Sequence, residues 1–176
     1  RIFSNQWLGL GRSDRLENPG EYEVFELCGQ ALVLIRNQDK ELRLYANTCR
    51  HRGAKLLDGT GQCQAISCPF HGWTYSLDGN LKHAKTMAEN SSFDFAEHSL
   101  IEYKLKELQG FLFGFLGNTP TDLSNQRGNF SELHQPWSMN ELVTTRRASF
   151  EVQCNWKAFL DVFNEYYHLN NVHPTS

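Results

Sequence analysis

Two short stretches of the chain each carry one cysteine and one histidine, side chains that commonly bind metals. The first stretch reads Cys49-x-His51 and the second reads Cys68-x-x-His71, with sixteen residues between them. Two cysteines and two histidines suit a tetrahedral zinc ion. They also suit a 2Fe–2S cluster in which two histidines replace two cysteines on one iron. The residue types alone therefore predict a metal centre and leave two chemistries open.

The arrangement of these four residues favours the cluster over zinc. Zinc fingers usually place a cysteine pair before a histidine pair, whereas each stretch here holds one residue of each type. This alternation allows the two cysteines to hold one iron and the two histidines to hold the other. Gly53 and Gly72 lie close to the histidines and would let backbone N–H groups approach the bridging sulfides. We therefore predict a 2Fe–2S cluster, with a structural zinc site as the less favoured alternative.

Composition and charge exclude several classes of protein. The 176 residues contain 17 Lys and Arg against 20 Asp and Glu, and no basic tract indicates nucleic-acid binding. The longest apolar stretch, Phe111–Gly117, is too short to cross a bilayer. No secretory signal is visible, so we expect a cytoplasmic protein without a membrane segment. In that compartment Cys28, Cys63 and Cys154 are expected to be buried free thiols.

Short runs of apolar and β-favouring residues, separated by turn residues, predict antiparallel strands over most of the chain. The loops between such strands are where metal-binding side chains are usually placed. We therefore expect a mainly β fold, an antiparallel β-sandwich with two cluster-binding loops over residues 1–118. The second Cys/His loop is entered from Ala65–Ser67 and left through Trp73–Tyr75, and Asp78-Gly79 indicates a hairpin before Asn80–His83. The predicted strands are Tyr22–Cys28, Ala31–Arg36, Leu42–Asn47, Ser99–Glu107 and Phe111–Leu116.

The pattern changes in residues 119–176. Alternating side chains over Thr144–Cys154 predict a half-buried strand. From Asn155, a favourable N-cap, apolar residues recur at intervals of three or four and predict a helix. A polar stripe on the same helix includes Glu165 and His168. That stripe is either a solvated helix face or part of a second site.

The histidines favour a second metal site. Glu165 and His168 are three positions apart, whereas His173 lies five beyond His168, which is roughly 140° around an ideal helix. Both imidazoles reach one metal only if the helix unwinds between them, and Asn170, Asn171 and Pro174 are residues that break helices. Two histidines with a carboxylate and open positions are typical of non-haem ferrous oxygenases. The remaining histidines lack partners at ligand spacing and are expected at the surface: His83, His98 and His134.

The two Cys/His stretches resemble the Rieske iron–sulfur family. The respiratory branch has an extra disulfide-forming cysteine in each loop, and Ala54 and Phe70 stand at those positions here. Trp73 replaces the serine that hydrogen-bonds a sulfide in that branch, so the resemblance implies a low-potential cluster of the ferredoxin and oxygenase branch. The resemblance also suggests that Tyr75 hydrogen-bonds a cluster cysteine, with a plain core tyrosine as the alternative. Trp73 and Phe70 are expected to shield the cluster.

The C-terminal stretch resembles the catalytic-domain signature of Rieske non-haem iron oxygenase α subunits. The matching motifs are Asn155-Trp156-Lys157, Glu165, Tyr167-His168 and His173-Pro174. The resemblance implies that Cys49, His51, Cys68 and His71 bind the cluster, and that His168 and His173 bind a mononuclear Fe(II). It implies that Glu165 links His168 to His71 of the partner subunit in a trimer, as the electron-transfer bridge. The third iron ligand would be an Asp from a later helix.

The resemblance implies a terminal oxygenase component. Its cluster accepts electrons from a ferredoxin or flavin reductase and passes them to the ferrous site. There dioxygen reacts with a small organic substrate by dihydroxylation, monohydroxylation or demethylation. We expect a homotrimer or α3β3 assembly, with residues 119–176 as the incomplete start of an α+β (helix-grip) catalytic domain, so that this chain alone is inactive.

Two points about the activity stay open in the sequence. Glu165 stands where many members have Asp, a hint towards quaternary amines such as choline, betaine or carnitine. The alternative is a Rieske ferredoxin, an electron carrier only, which accounts for residues 1–118 but not for residues 144–176.

Overall fold

The chain divides into two compact units in the computed structural model, which describes residues 2–85, 87–89 and 92–173. The first unit is Arg1–Thr144 and the second is Thr145–Ser176. The domain boundary expected after residue 118 stays a prediction.

The first unit is built from antiparallel strands, as the sequence predicts. Seven of them form one sheet in the order β1-β10-β9-β4-β3-β2-β5, and three form a small sheet in the order β6-β7-β8. Two short helices follow, α1 (Ser124–Arg127) and α2 (Phe130–Leu133). The strands are β1 (Leu8–Arg12), β2 (Glu21–Leu27), β3 (Gln30–Arg36), β4 (Leu42–Ala46), β5 (Thr60–Gln62), β6 (Ile66–Ser67), β7 (Thr74–Tyr75), β8 (Leu81–His83), β9 (Glu102–Leu108) and β10 (Phe111–Phe115).

Tight two-residue turns set the register of the long hairpins. Cys28 (φ 54°) and Gly29 (φ 74°) both adopt positive φ between β2 and β3, as a type I′ hairpin turn requires. Gln109 (φ 51°) and Gly110 (φ 80°) repeat this conformation between β9 and β10. The predicted strands of this unit all overlap observed ones. The segments on either side of the second Cys/His loop form β6 and β7, and β1 and β5 were not predicted.

Strand β3 forms the centre of the hydrophobic core because both of its faces are buried. Val33 and Ile35 point into one cluster together with Trp73 and Tyr75. The alternate residues of the strand, Leu32 and Leu34, point into a second cluster. This two-residue period is the ordinary consequence of side chains alternating across a strand. The first cluster packs the small sheet and both Cys/His loops against the large sheet.

The remaining cysteines differ from the prediction of buried thiols. Cys28 and Cys154 are exposed, and Cys63 is half-buried. Cys28 is exposed because it occupies the tip of a hairpin turn. All five cysteines are free thiols, consistent with the absence of loop cysteines at positions 54 and 70.

The described part of the second unit, residues 145–173, contains the helices α3 (Trp156–Asn164) and α4 (Leu169–Val172). The predicted N-cap is confirmed, because the Lys157 N–H donates to Asn155 Oδ1 at 2.9 Å. The predicted strand over Thr144–Cys154 was wrong: these residues join no strand, and Phe150 is 84% exposed. A half-buried strand needs a neighbouring strand, and none of the residues described here pairs with this stretch. No helix in the described part of the chain is long and apolar enough to span a bilayer.

Candidate metal centres

The first Cys/His loop follows β4 and is closed by two backbone hydrogen bonds. The carbonyl of Cys49 accepts the Gly53 N–H at 3.0 Å, and the Cys49 N–H donates to the Ala54 carbonyl at 2.8 Å. Gly53 adopts a φ of 73°, a left-handed conformation that glycine reaches without steric cost. The turn therefore presents the cysteine at its base and His51 at its tip.

The second loop, between β6 and β7, makes the same turn. The Cys68 carbonyl accepts the Gly72 N–H at 3.0 Å, and the Cys68 N–H donates to the Trp73 carbonyl at 2.7 Å. Gly72 also has a positive φ, 70°. Both glycine N–H groups thus close their own turns, a role that the sequence did not predict. The histidines differ, since His51 is two residues beyond its cysteine and His71 is three beyond.

The paired loops bring the predicted ligands together as two buried thiols and two neighbouring rings. Cys49 and Cys68 are each 3% exposed. The imidazoles of His51 and His71 have ring centroids 4.7 Å apart at an interplanar angle of 67°. The Nδ1 atom of His51 is buried without a hydrogen-bond partner. A buried imidazole nitrogen without a partner fits a metal ligand, because a metal bond would satisfy it.

The environment of His51 favours the neutral ring. Burial lowers its pKa, and the neighbouring His71 and Arg52 lower it further. A neutral imidazole is the form that ligates metals, so the local electrostatics agree with the donor set.

Tyr75 lies beneath the first loop and contacts its sulfur. The phenol oxygen is 3.4 Å from Cys49 Sγ and accepts the Arg50 N–H at 3.0 Å. Because this oxygen accepts the amide hydrogen, its own hydrogen is free to point towards the sulfur. Burial, followed by the hydrogen bond with Cys49, raises the pKa of Tyr75, so the phenol stays protonated. The contact expected between Tyr75 and a cysteine is present, on a side chain that is fully buried.

The two aromatic residues expected to shield the cluster differ in their own exposure to solvent. Trp73 is 3% exposed and stacks on His51. Phe70 lies with its ring centroid 4.0 Å from that of His71, but it remains 64% exposed. His98, which was expected at the surface, is half-buried and contacts Trp73. Nothing in the residue spacing indicates that contact.

In the second unit Glu165 orients His168. Helix α3 ends at Asn164, and Glu165 is extended at φ −120° and ψ 150°. Its Oε1 accepts a hydrogen bond from the Nδ1 of His168, and its Oε2 accepts the backbone N–H groups of Tyr167 and His168. The hydrogen bond with the His168 side chain is the largest of the causes that lower the pKa of Glu165. The carboxylate therefore fixes His168 with Nε2 as the ring nitrogen turned away from Glu165.

His168 and His173 flank helix α4 and approach each other. Their ring centroids are 5.8 Å apart at an interplanar angle of 73°. The helix was expected to unwind between them, but the break comes earlier, at Glu165, and Asn170 and Asn171 lie inside α4. The backbone leaves the helix again at His173 (φ −126°, ψ 58°), and Pro174 lies outside the described residues. Within the described residues, no three Cys, His, Asp or Glu side chains form a group that could hold one metal ion.

Two protein-family models match separate stretches of the chain. Residues 6–104 match the Rieske [2Fe-2S] domain, and residues 139–176 match the ring hydroxylating alpha subunit (catalytic domain). A Rieske domain implies a 2Fe–2S cluster, and that catalytic domain implies a mononuclear iron. The family match therefore supports the 2Fe–2S cluster and not the alternative structural zinc site.

Similar proteins are oxygenase subunits. The carnitine monooxygenase oxygenase subunit of Acinetobacter baumannii is 35% identical, over 98% of this chain and 47% of that protein. The glycine betaine monooxygenase oxygenase subunit of Chromohalobacter salexigens is 29% identical, over 98% of this chain and 39% of that protein. A crystal structure of a quaternary ammonium Rieske monooxygenase in complex with L-carnitine superposes with a TM-score of 0.89 at 34% identity, covering 98% of this chain and 50% of that one.

The chain thus spans about half, or less, of the length of the curated relatives it matches. Its matched residues cover a Rieske domain and only the beginning of a catalytic domain. The chain belongs to the Rieske family, as a cluster domain followed by the start of a ring-hydroxylating alpha-subunit catalytic domain.

Proposed function

We propose that the chain is the cluster-bearing part of the terminal oxygenase of a Rieske-type monooxygenase that oxidises a quaternary ammonium compound. The observation that carries the proposal is the pair of matching loops, which set the His51 and His71 rings 4.7 Å apart beside two buried cysteines. The quaternary ammonium substrate is supported by relatives named for carnitine and glycine betaine. Residues 1–118 form the cluster domain in this proposal, and residues 119–176 begin the catalytic domain.

The cluster ligands in this proposal are the four residues of the two loops. The buried thiolates of Cys49 and Cys68 hold one iron, and ring nitrogens of His51 and His71 hold the other. The assignment of Nδ1 of His51 to this role is supported by its burial without a hydrogen-bond partner. Tyr75 donates a hydrogen bond to Cys49 and stabilises negative charge on that sulfur.

In the second unit, His168 and His173 would hold the mononuclear iron. The third ligand would be an Asp from a later helix. When both groups are bound, the cluster supplies single electrons and the iron supplies a site for dioxygen activation. Glu165 engages Nδ1 of His168 and thereby directs the other ring nitrogen to the metal. A histidine ligand held in this way keeps both its tautomer and its ring orientation.

Glu165 is the proposed bridge between subunits. Its lowered pKa keeps it anionic, and each carboxylate oxygen has two lone pairs. Oε1 therefore retains the capacity to accept one hydrogen bond besides that from His168. In a homotrimer or α3β3 assembly, the donor would be His71 of the partner subunit. A ferredoxin or flavin reductase would be the electron donor, and the ferredoxin alternative leaves the catalytic-domain match of residues 139–176 without a role.

The proposal is tested with the full-length protein and its reductase. Oxygen consumption is measured with carnitine, glycine betaine and choline, and with naphthalene as an aromatic comparison. The quaternary ammonium compounds should stimulate consumption and form product. Glu165→Gln should lower turnover by tenfold or more while cluster content is retained, whereas Glu151→Gln, an exposed change in the same unit, should have no effect. Turnover of naphthalene alone, or full activity of Glu165→Gln, would contradict the proposal.

A further inference from the structure

We infer that Trp73 is a positioning residue that fixes the ring of His51, and that Phe93 and His98 brace Trp73 from a separate segment. This inference rests on the proposed role of His51 as a cluster ligand. It adds residues that bind no metal to the set that shapes the cluster.

The ring of His51 is held on two sides. The indole of Trp73 stacks on it with ring centroids 4.8 Å apart and only 11° between the planes. The edge of His71 approaches it at a centroid distance of 4.7 Å. Rotation of the His51 ring would break the parallel stack, so the indole restricts the plane in which the buried Nδ1 is presented.

The indole is itself held by two rings that lie well outside both loops. Phe93 and His98 each meet Trp73 with ring centroids 5.7 Å apart, at interplanar angles of 80° and 72°. These two rings stack on each other at 4.4 Å and 28°. His98 is also tied to its own segment, since its Nδ1 lies 2.8 Å from the carbonyl oxygen of Asp94. The two rings that contact the indole therefore both belong to the short segment of residues 93–98.

The two ligand histidines differ in how well a neighbouring aromatic ring shields them from solvent. One face of His51 is covered by an indole that is 3% exposed, whereas the ring beside His71 belongs to Phe70, which is 64% exposed. Exclusion of water disfavours the negative charge that a cluster gains on reduction. Removal of the indole should therefore raise the reduction potential. It should also broaden the rhombic paramagnetic signal, because the His51 ring would adopt several orientations.

The test uses the full-length protein with its cluster loaded. Trp73→Leu removes the stack, Trp73→Phe keeps an aromatic face, and Phe93→Ala removes part of the brace while Trp73 stays in place. The control is Phe25→Ala, a half-buried aromatic residue in the other hydrophobic cluster. We expect an upward shift in midpoint potential and a broader signal for Trp73→Leu, and smaller changes in the same direction for Phe93→Ala. The midpoint potential and linewidth of Trp73→Phe should be close to those of the unmodified protein. Those of the Phe25→Ala control should equal those of the unmodified protein.

The outcome separates this inference from the proposed function. Unchanged potential and linewidth in both Trp73→Leu and Phe93→Ala, at full iron and sulfide content, would overturn the inference and leave the ligand assignment standing. If Trp73→Leu fails to hold the cluster, Phe93→Ala decides the question by the same two readouts. Retention of the rhombic signal in His51→Ala would instead overturn the ligand assignment itself.

Discussion

The phenol oxygen of Tyr75 lies 3.4 Å from the sulfur of Cys49, although the two residues are 26 positions apart in the sequence. A hydrogen bond to sulfur stabilises the reduced state of an iron–sulfur cluster more than the oxidised state. Tyr75→Phe should therefore lower the midpoint potential, by about 60 mV for each 1.4 kcal/mol of lost stabilisation in a one-electron couple. Redox titration followed by the paramagnetic signal measures this shift.

The control for Tyr75 is Tyr103→Phe, a half-buried tyrosine that packs in the other hydrophobic cluster. It should leave the potential unchanged. An unchanged or higher potential in Tyr75→Phe would mean that the phenol does not donate to the sulfur.

Gly53 and Gly72 should resist substitution for reasons of backbone conformation. An added Cβ has room at both positions: nothing lies within 4 Å at Gly72, and only Thr48 Cγ2, at 3.9 Å, lies near Gly53. The positive φ of each residue should nevertheless cost about 1–2 kcal/mol on substitution by alanine. Chemical denaturation and iron content measure the effect. Gly9→Ala is the matched control, since its Cβ is also free of neighbours and its φ is not positive. Equal stability of all three variants would contradict the turn geometry.

Local patterns predicted the elements that depend on local interactions. The run of β-favouring apolar residues in β3 predicted a strand, and the Asn155 cap reflects one hydrogen bond two residues away. The Cys/His spacing similarly identified both loops, because each turn closes within five residues.

Two of the wrong predictions concern features that depend on distant partners. The alternation of Thr144–Cys154 predicted a strand, but a strand needs a neighbour that a pattern cannot supply. The contact between His98 and Trp73 joins residues 25 positions apart, and it had no signal in the spacing. A third error has a local cause: the break was predicted after His168, whereas Glu165 already leaves the helix and accepts the N–H groups of Tyr167 and His168.

Asp14 should make the segment around Thr144 sensitive to acid. Its carboxylate accepts the N–H and hydroxyl of Thr144, at 2.6 and 3.1 Å, and the backbone hydrogen bond is the largest cause of its lowered pKa. The stabilisation is therefore present above the unfolded pKa near 3.8 and is lost as pH falls through the lower folded value. Asp14→Asn should cost about 1 kcal/mol or less and remove this dependence.

Hydrogen exchange at the Thr144 amide, measured as a function of pH, reports this change. Asp39→Asn, at an exposed turn position, is the control and should leave exchange at Thr144 unaltered. Protection that is the same in Asp14→Asn and in the unmodified protein at neutral pH would show that the carboxylate does not hold the segment.

Asn155 should contribute to the second unit through its cap. Asn155→Ala removes the acceptor for the Lys157 N–H and should cost about 1 kcal/mol, whereas Asn155→Asp keeps an acceptor and should cost little. Thermal unfolding of the full-length protein measures both. Equal losses in the two variants would assign the effect to something other than the cap.

We propose that Cys49, Cys68, His51 and His71 together hold a 2Fe–2S cluster. The most direct test is the paramagnetic spectrum of the dithionite-reduced protein, with its histidines labelled with ¹⁵N and with full iron and sulfide content. We predict a rhombic signal coupled to two imidazole nitrogens, lost in His51→Ala and His71→Ala and kept in His134→Ala. A protein without this signal, or nitrogen couplings that survive the loss of both His51 and His71, would contradict the claim.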